Sequence, residues 1–136
     1  MATFTSLQEA QAYFQNERFA TSNGMTLEEL SETRAVCAME IAENHHNALG
    51  GVMGGAIFTL ADFAFAVACN QDHSPTVAID VSIHFLSAPR GERLIARARR
   101  VKSGRTTGVW EVAVSDDLGR DVALFVGTGF KQQNNI

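Results

Sequence analysis

Between residues 77 and 85 apolar side chains alternate with small or polar ones: Val77, Ile79, Val81, Ile83 and Phe85 against Ala78, Asp80, Ser82 and His84. A period of two predicts a half-buried strand. Residues 33–42 place Ala35, Cys37, Met39 and Ile41 against Arg34 and Glu40 and predict another. Residues 93–102, 107–114 and 121–130 read as strands separated by turns at Ser103-Gly104-Arg105 and Asp116-Asp117-Leu118-Gly119. Consecutive strands joined by short turns imply an antiparallel meander. Residues 54–70 follow a different rule: they contain no proline and carry apolar residues on every side, which predicts a helix buried all round. Ser6 and Glu9 form a capping box ahead of Leu7, Ala10 and Phe14, so a first helix is expected over 6–17. Residues 25–30 follow an Asn23-Gly24 turn and fit either a short strand or a second helix capped by Thr26. Residues 44–51 are polar and end in glycine, hence a loop. The sum is one α+β domain over 1–136, with an antiparallel sheet of about five to six strands curled around a long central helix.

Length and composition agree with that picture. A chain of 136 residues suggests a single domain and buries most of its apolar surface in one core. The first six residues hold no basic or apolar run, so a cytoplasmic protein is expected. The most apolar stretch, 52–68, carries Asp62 and falls below spanning length, so no membrane segment is expected. Cys37 and Cys69 are isolated and read as buried, reduced thiols. His45, His46, His73 and His84 lack metal-ligand spacing, and no metal or cofactor is expected. The net charge of −4 hides an asymmetry: Arg90, Arg93, Arg97, Arg99, Arg100, Lys102 and Arg105 are seven of the eleven Lys and Arg. This run is either a solvated strand face or a site for a polyanionic ligand. The acidic overall balance argues against nucleic acid.

The chemistry concentrates in residues 47–62. Gly54 and Gly55 open the buried helix, where unpaired N–H groups and the positive end of the helix dipole lie. Without a Cβ, a ligand can approach that backbone closely, as an oxyanion hole requires. The same glycines would also let the helix pack against a strand. Asp62 is the only residue charged at neutral pH between Asn47 and Gln71. It lies inside the helix beside Phe58, Thr59, Phe65 and Ala66, where a carboxylate is costly unless compensated. It is either a structural aspartate bonded across an interface or, the sharper reading, a general base or nucleophile. Asp62 lies eight residues beyond Gly54, about 12 Å of helix rise. A carbonyl held at the helix start is therefore out of reach of Asp62 on the same helix. Two antiparallel helices related by a two-fold axis solve this, with two shared sites in a homodimer.

The spacing resembles that of the hotdog-fold acyl-CoA thioesterases, especially the phenylacetate-degradation type. Their pattern runs Asn, two residues, Gly, two residues, His-Gly-Gly, then Phe, Leu, Ala and Asp. Here it stands as Asn47, Gly50, Met53, Gly54, Gly55, Phe58, Leu60, Ala61 and Asp62. The segments 80–86 and Gly104-Arg105-Thr106 are also similar, and the likeness covers about residues 20–131. The resemblance implies a long helix wrapped by an antiparallel sheet and hydrolysis of an acyl-CoA thioester. It assigns Asp62 as the catalytic carboxylate, Gly54, with Gly55, as the source of the polarising N–H, and Asn47 as a polar residue placing substrate or water. It further implies that Arg105 and Arg90 touch CoA phosphates, with Gly104 and Thr106 beside them. The family's usual histidine is Met53 here, and Ala78 stands where some relatives carry serine.

The leading expectation is thus a thioesterase acting on a small aryl- or short- to medium-chain acyl-CoA, with Met53 and Phe58 near the substrate. A homodimer, assembled further into a homotetramer, is expected. The alternative, motivated by Met53, is a non-catalytic acyl-CoA or acyl-carrier binding module. A hotdog dehydratase ranks last, because no histidine lies in the motif.

Overall fold

The computed structural model describes residues 2–133. Two short helices, α1 (Leu7–Phe14) and α2 (Arg18–Ser22), lead into strands β1 (Met25–Leu30) and β2 (Arg34–Glu40). A loop then enters the long helix α3 (Gly54–Asp72). Strands β3 (Thr76–Phe85), β4 (Arg93–Ser103), β5 (Thr107–Asp116) and β6 (Asp121–Lys131) complete the domain. The sheet has six strands in the order β1-β2-β4-β5-β6-β3, all neighbours antiparallel. It wraps α3, as expected. Residues 25–30 are a strand, which resolves the ambiguity at Thr26.

The first helix is shorter than the expected 6–17. Ser6 caps it by accepting from the Glu9 N–H at 3.1 Å, and the Glu9 carboxylate accepts from the Thr5 N–H at 2.8 Å. At the other end the Asn16 side chain donates to the Tyr13 carbonyl at 3.0 Å, and the chain breaks before restarting as α2. Asparagine offers the backbone a local alternative to the helix, which ends it early.

The core forms where α3 lies on the concave face of the sheet. Phe65 packs against Trp110 and Phe125, with ring centroids 5.9 and 5.6 Å apart. Gly127 lies beneath it: a Cβ there would stand 2.6 Å from Phe65 Cε1, so only glycine lets helix and strand approach this closely. The C-terminal end of α3 is tied down by Asp72. Its carboxylate receives Arg100 Nη1 at 2.6 Å, Ser103 Oγ at 2.7 Å and Lys131 Nζ at 3.0 Å.

Two expectations need correction. The helix α3 is not buried all round: Gly55 and Phe58 are exposed, and Asp62 is half-buried on the same strip. In addition, β3 is the sheet edge rather than a half-buried strand. A bulge at Ile79 separates the pairs Ala78↔Gly129 and Asp80↔Thr128. An extra residue flips the side-chain parity. Before the bulge Thr76 is buried and Val77 exposed; after it Val81 and Ile83 are half-buried while Ser82 and His84 face out. Val77, Ile79 and Phe85 are left as an exposed apolar margin.

Candidate active site

The strip of α3 that the sheet leaves uncovered runs from its first residue to Asp62. The N–H groups of Gly54 and Gly55 have no acceptor among the described residues, and no side chain caps this helix start. It is positioned by the loop before it. His45 accepts the Ala42 N–H on Nδ1 at 2.9 Å, so Nε2 carries the proton and donates to the Asn23 carbonyl at 2.9 Å. The His45 carbonyl in turn accepts from the Met53 N–H at 2.8 Å. Asn47 Oδ1 accepts from the N–H groups of Leu49 and Gly51, at 3.0 and 3.1 Å, closing a tight turn in which Gly50 has φ +86°. The Asn47 side-chain oxygen is thus occupied within the loop, while its NH₂ has no partner among the described residues. Both faces of the helix start are covered loosely: the Phe85 ring lies over Gly54, and the Met53 thioether folds over Gly55.

Asp62 has no hydrogen-bond partner among the described residues, although it is half-buried. Burial raises its carboxyl above the ordinary carboxylate range, and the negative charge of Glu17 adds to the rise. The two thiols are poor rivals as nucleophiles. Burial raises Cys37 far above neutrality and pushes Cys69 up to about 12.

Two cavities flank the helix start. One of about 410 Å³ lies between α2 and α3, and its lining includes Phe19, Asn23, His45, Met53, Phe58 and Thr59. The other, of about 280 Å³, lies between Gly54, Phe85 and the segment 86–89, immediately before Arg90.

Gly54, Gly55, Met53 and Phe58 therefore share one strip with Asp62. Other expected site residues do not join them within one chain. Arg90 precedes β4, while Gly104, Arg105 and Thr106 form the turn after it, so the length of an 11-residue strand, roughly 35 Å, separates the two groups. Ala78 is exposed on the β3 edge. Much of the arginine run is structural: Arg93 pairs with Glu28 and Glu40, Arg99 with Glu111, and Arg100 with Asp72. Sequence reasoning missed Phe19 and Asn23, which come from elements far from the motif, and His45, which lies two residues before Asn47 but bonds to the remote Asn23. Among the described residues no group of three His, Cys, Asp or Glu is arranged to hold a metal, and no helix is long and apolar enough to cross a membrane.

Comparison with known proteins fixes the class. The thioesterase superfamily profile matches residues 49–123, and the chain belongs to that family. Among individual relatives, the acyl-coenzyme A thioesterase PaaI of Escherichia coli is 34% identical over 121 residues, 88% of this chain and 86% of that one. The solved E. coli PaaI structure superposes with a TM-score of 0.88, covering 95% of this chain and 94% of that one at 32% identity. A Streptococcus mutans protein solved with acetyl CoA bound shares 25% identity at a TM-score of 0.77, over 83% and 92% of the two chains. The hotdog fold and the resemblance to the phenylacetate-degradation thioesterases both hold.

Proposed function

We propose that the protein is an acyl-CoA thioesterase in which Asp62 of one subunit serves a thioester held at the Gly54–Gly55 helix start of another. The observation that carries this reading is the pairing of opposites on one exposed strip. Two N–H donors without acceptors lie at one end, and a half-buried carboxylate without donors lies at the other. The donors suit the negative oxygen that develops as a thioester carbonyl becomes tetrahedral. The carboxylate, raised by burial, suits proton abstraction from water or direct attack on the carbonyl carbon. Water attack breaks the C–S bond and gives carboxylic acid and free thiol; direct attack expels the same thiol and leaves an anhydride on Asp62, which water opens to the acid and the regenerated carboxylate.

The 12 Å between the two groups on one helix favours a shared site. The β3 edge supports the same arrangement. Beyond Thr76, whose N–H donates to the Asn70 side chain and whose carbonyl accepts from it, no neighbouring strand among the described residues pairs with its outer side, and Val77, Ile79 and Phe85 border it with exposed apolar surface. Antiparallel pairing of two β3 edges would extend the sheet and set two α3 helices antiparallel. Arg90 of one subunit and Arg105 of the other would then approach one CoA, with the 280 Å³ cavity beside Gly54 leading toward Arg90. Asn47 offers its free NH₂ to substrate or water. A homotetramer would pair two such dimers.

The test is complementation. Asp62→Asn subunits and Gly54→Pro subunits, each inactive alone against aryl-, short- and medium-chain acyl-CoAs, are mixed and allowed to exchange. Recovery of about a quarter to a half of wild-type activity is expected. Mixed dimers without recovered activity would exclude the shared site. Met53 motivates one second reading, a binding module, which would show tight acyl-CoA binding with no turnover by the wild type.

A further inference from the structure

The 410 Å³ cavity has a composition that the proposed chemistry does not itself require. Its floor is the uncovered strip of α3, namely Gly55, Phe58 and Thr59, one turn before Asp62. Its outer wall is α2 and the turn into β1, held by the His45 bond to the Asn23 carbonyl. Phe19 and Met53 stand at its mouth, 72% and 55% exposed, with large apolar surfaces that no other element covers. Most donors within it are already engaged, and the amides of Asn23 and Asn44 toward the rim hold the remaining N–H groups. Thr59 Oγ donates to the Gly55 carbonyl at 2.7 Å, Asn23 Nδ2 to the Phe19 carbonyl at 2.8 Å, and His45 Nε2 to the Asn23 carbonyl. Asn44 is exposed on the rim. A hydroxyl or carboxylate on the bound group would lose its hydration there and find few polar partners in return.

We infer that this cavity is the acyl pocket, that it takes an unsubstituted apolar acyl group of medium size, and that Phe19 and Met53 set the preference. The inference rests on the thioesterase reading for the position of the carbonyl, which links the pocket to the Gly54–Gly55 donors. Met53 replaces a hydrogen-bonding residue of the family pattern with a thioether that folds over Gly55, within 3.4 Å of where a Cβ would stand. The mouth of the pocket is therefore apolar at the point where the acyl chain would leave the carbonyl. The volume lies at the lower end of ordinary small-molecule sites.

Binding of non-hydrolysable thioethers tests the pocket separately from catalysis. Calorimetric titration of the full chain uses S-ethyl-, S-hexyl-, S-octyl- and S-(8-hydroxyoctyl)-CoA. Affinity is expected to rise up to about fourfold per methylene from ethyl to hexyl. The terminal hydroxyl is expected to cost about tenfold to a hundredfold against S-octyl-CoA. In Phe19→Asp the octyl-to-ethyl affinity ratio should fall about tenfold or more, with a smaller fall in Met53→Gln. Both positions are exposed, so both variants are expected to fold. Flat affinity across chain lengths, no binding of any thioether, or an unchanged ratio in both variants overturns the inference. A change in sedimentation mass in Phe19→Asp with the length preference intact would make the cavity a subunit contact, and also overturns it. A length preference in a protein that hydrolyses none of the matching thioesters leaves the pocket standing and removes the hydrolytic reading instead.

Discussion

Helix α3 carries two aspartates ten residues apart, and the fold treats them in opposite ways. Burial alone would raise the Asp72 carboxyl, but hydrogen bonds from Ser103, Lys131 and Arg100 and the Lys131 charge outweigh it and hold the group below its ordinary value. Asp62 is also half-buried, yet it has no donor among the described residues, and burial raises it. A carboxylate that ties a helix to a sheet is surrounded by partners; one that handles protons is left without them. Within a single chain, Asp62 has the second character only.

The comparison breaks most sharply on catalysis. Asp62→Asn keeps the shape and removes the base or nucleophile, so kcat should fall about 10²- to 10⁴-fold in a steady-state acyl-CoA assay, with the fold intact by circular dichroism. Asp72→Asn should leave kcat within a few-fold. Equal losses in the two variants would show that Asp62, like Asp72, acts through structure.

On stability the order reverses. Asp72→Ala strands Arg100 and Lys131, and breaking such a part-buried cluster costs about 1–2 kcal/mol. Chemical denaturation at pH 7 measures it. Acid probes the same cluster. A lowered carboxyl contributes stability above its ordinary value, lost as pH falls through the folded one. Asp116 behaves likewise: it accepts N–H bonds from Arg90, Arg120, Gly91 and Leu118, which hold it at about 2.

The same contrast marks what the sequence made legible. Asp62 stood out because a charged residue in the middle of an apolar helix violates local preference, and such violations need a reason. The strands were legible from their period. The edge position of β3 was not, because Val77 to Phe85 alternates without interruption and only pairing with β6 exposes the bulge. The cavity wall was equally hidden: Asn23 and His45 are 22 residues apart, and nothing local joins them. The arginine run misled in part, since Glu28, Glu40, Asp72 and Glu111 neutralise much of it from other elements.

Met53 sharpens the comparison from the donor end. If the missing histidine assists the carbonyl or the water, Met53→His should raise kcat for a short acyl-CoA by about tenfold, below the range of losing a whole oxyanion donor. The measurement is kcat across chain lengths. No gain on any substrate would mean that the helix start and Asp62 suffice without that residue.

The smallest expected effect is on folding, and its sign is the most diagnostic. Because the Asp62 carboxyl is raised, the folded chain holds a proton there that the unfolded chain has released. Stability from this group is therefore present below its ordinary value of 3.8 and falls as pH climbs through the raised value. At neutral pH the charged side chain opposes folding. Asp62→Asn should melt slightly higher than wild type at pH 7, and the gap should close as pH falls through the raised value and the wild-type carboxyl takes up its proton. Thermal melts of both proteins across that range decide it. A variant that melts lower at pH 7 would mean that Asp62 holds a stabilising partner, as Asp72 does, and the contrast between the two residues would fall. A gain in stability paired with a loss of turnover is instead what a residue kept for chemistry shows.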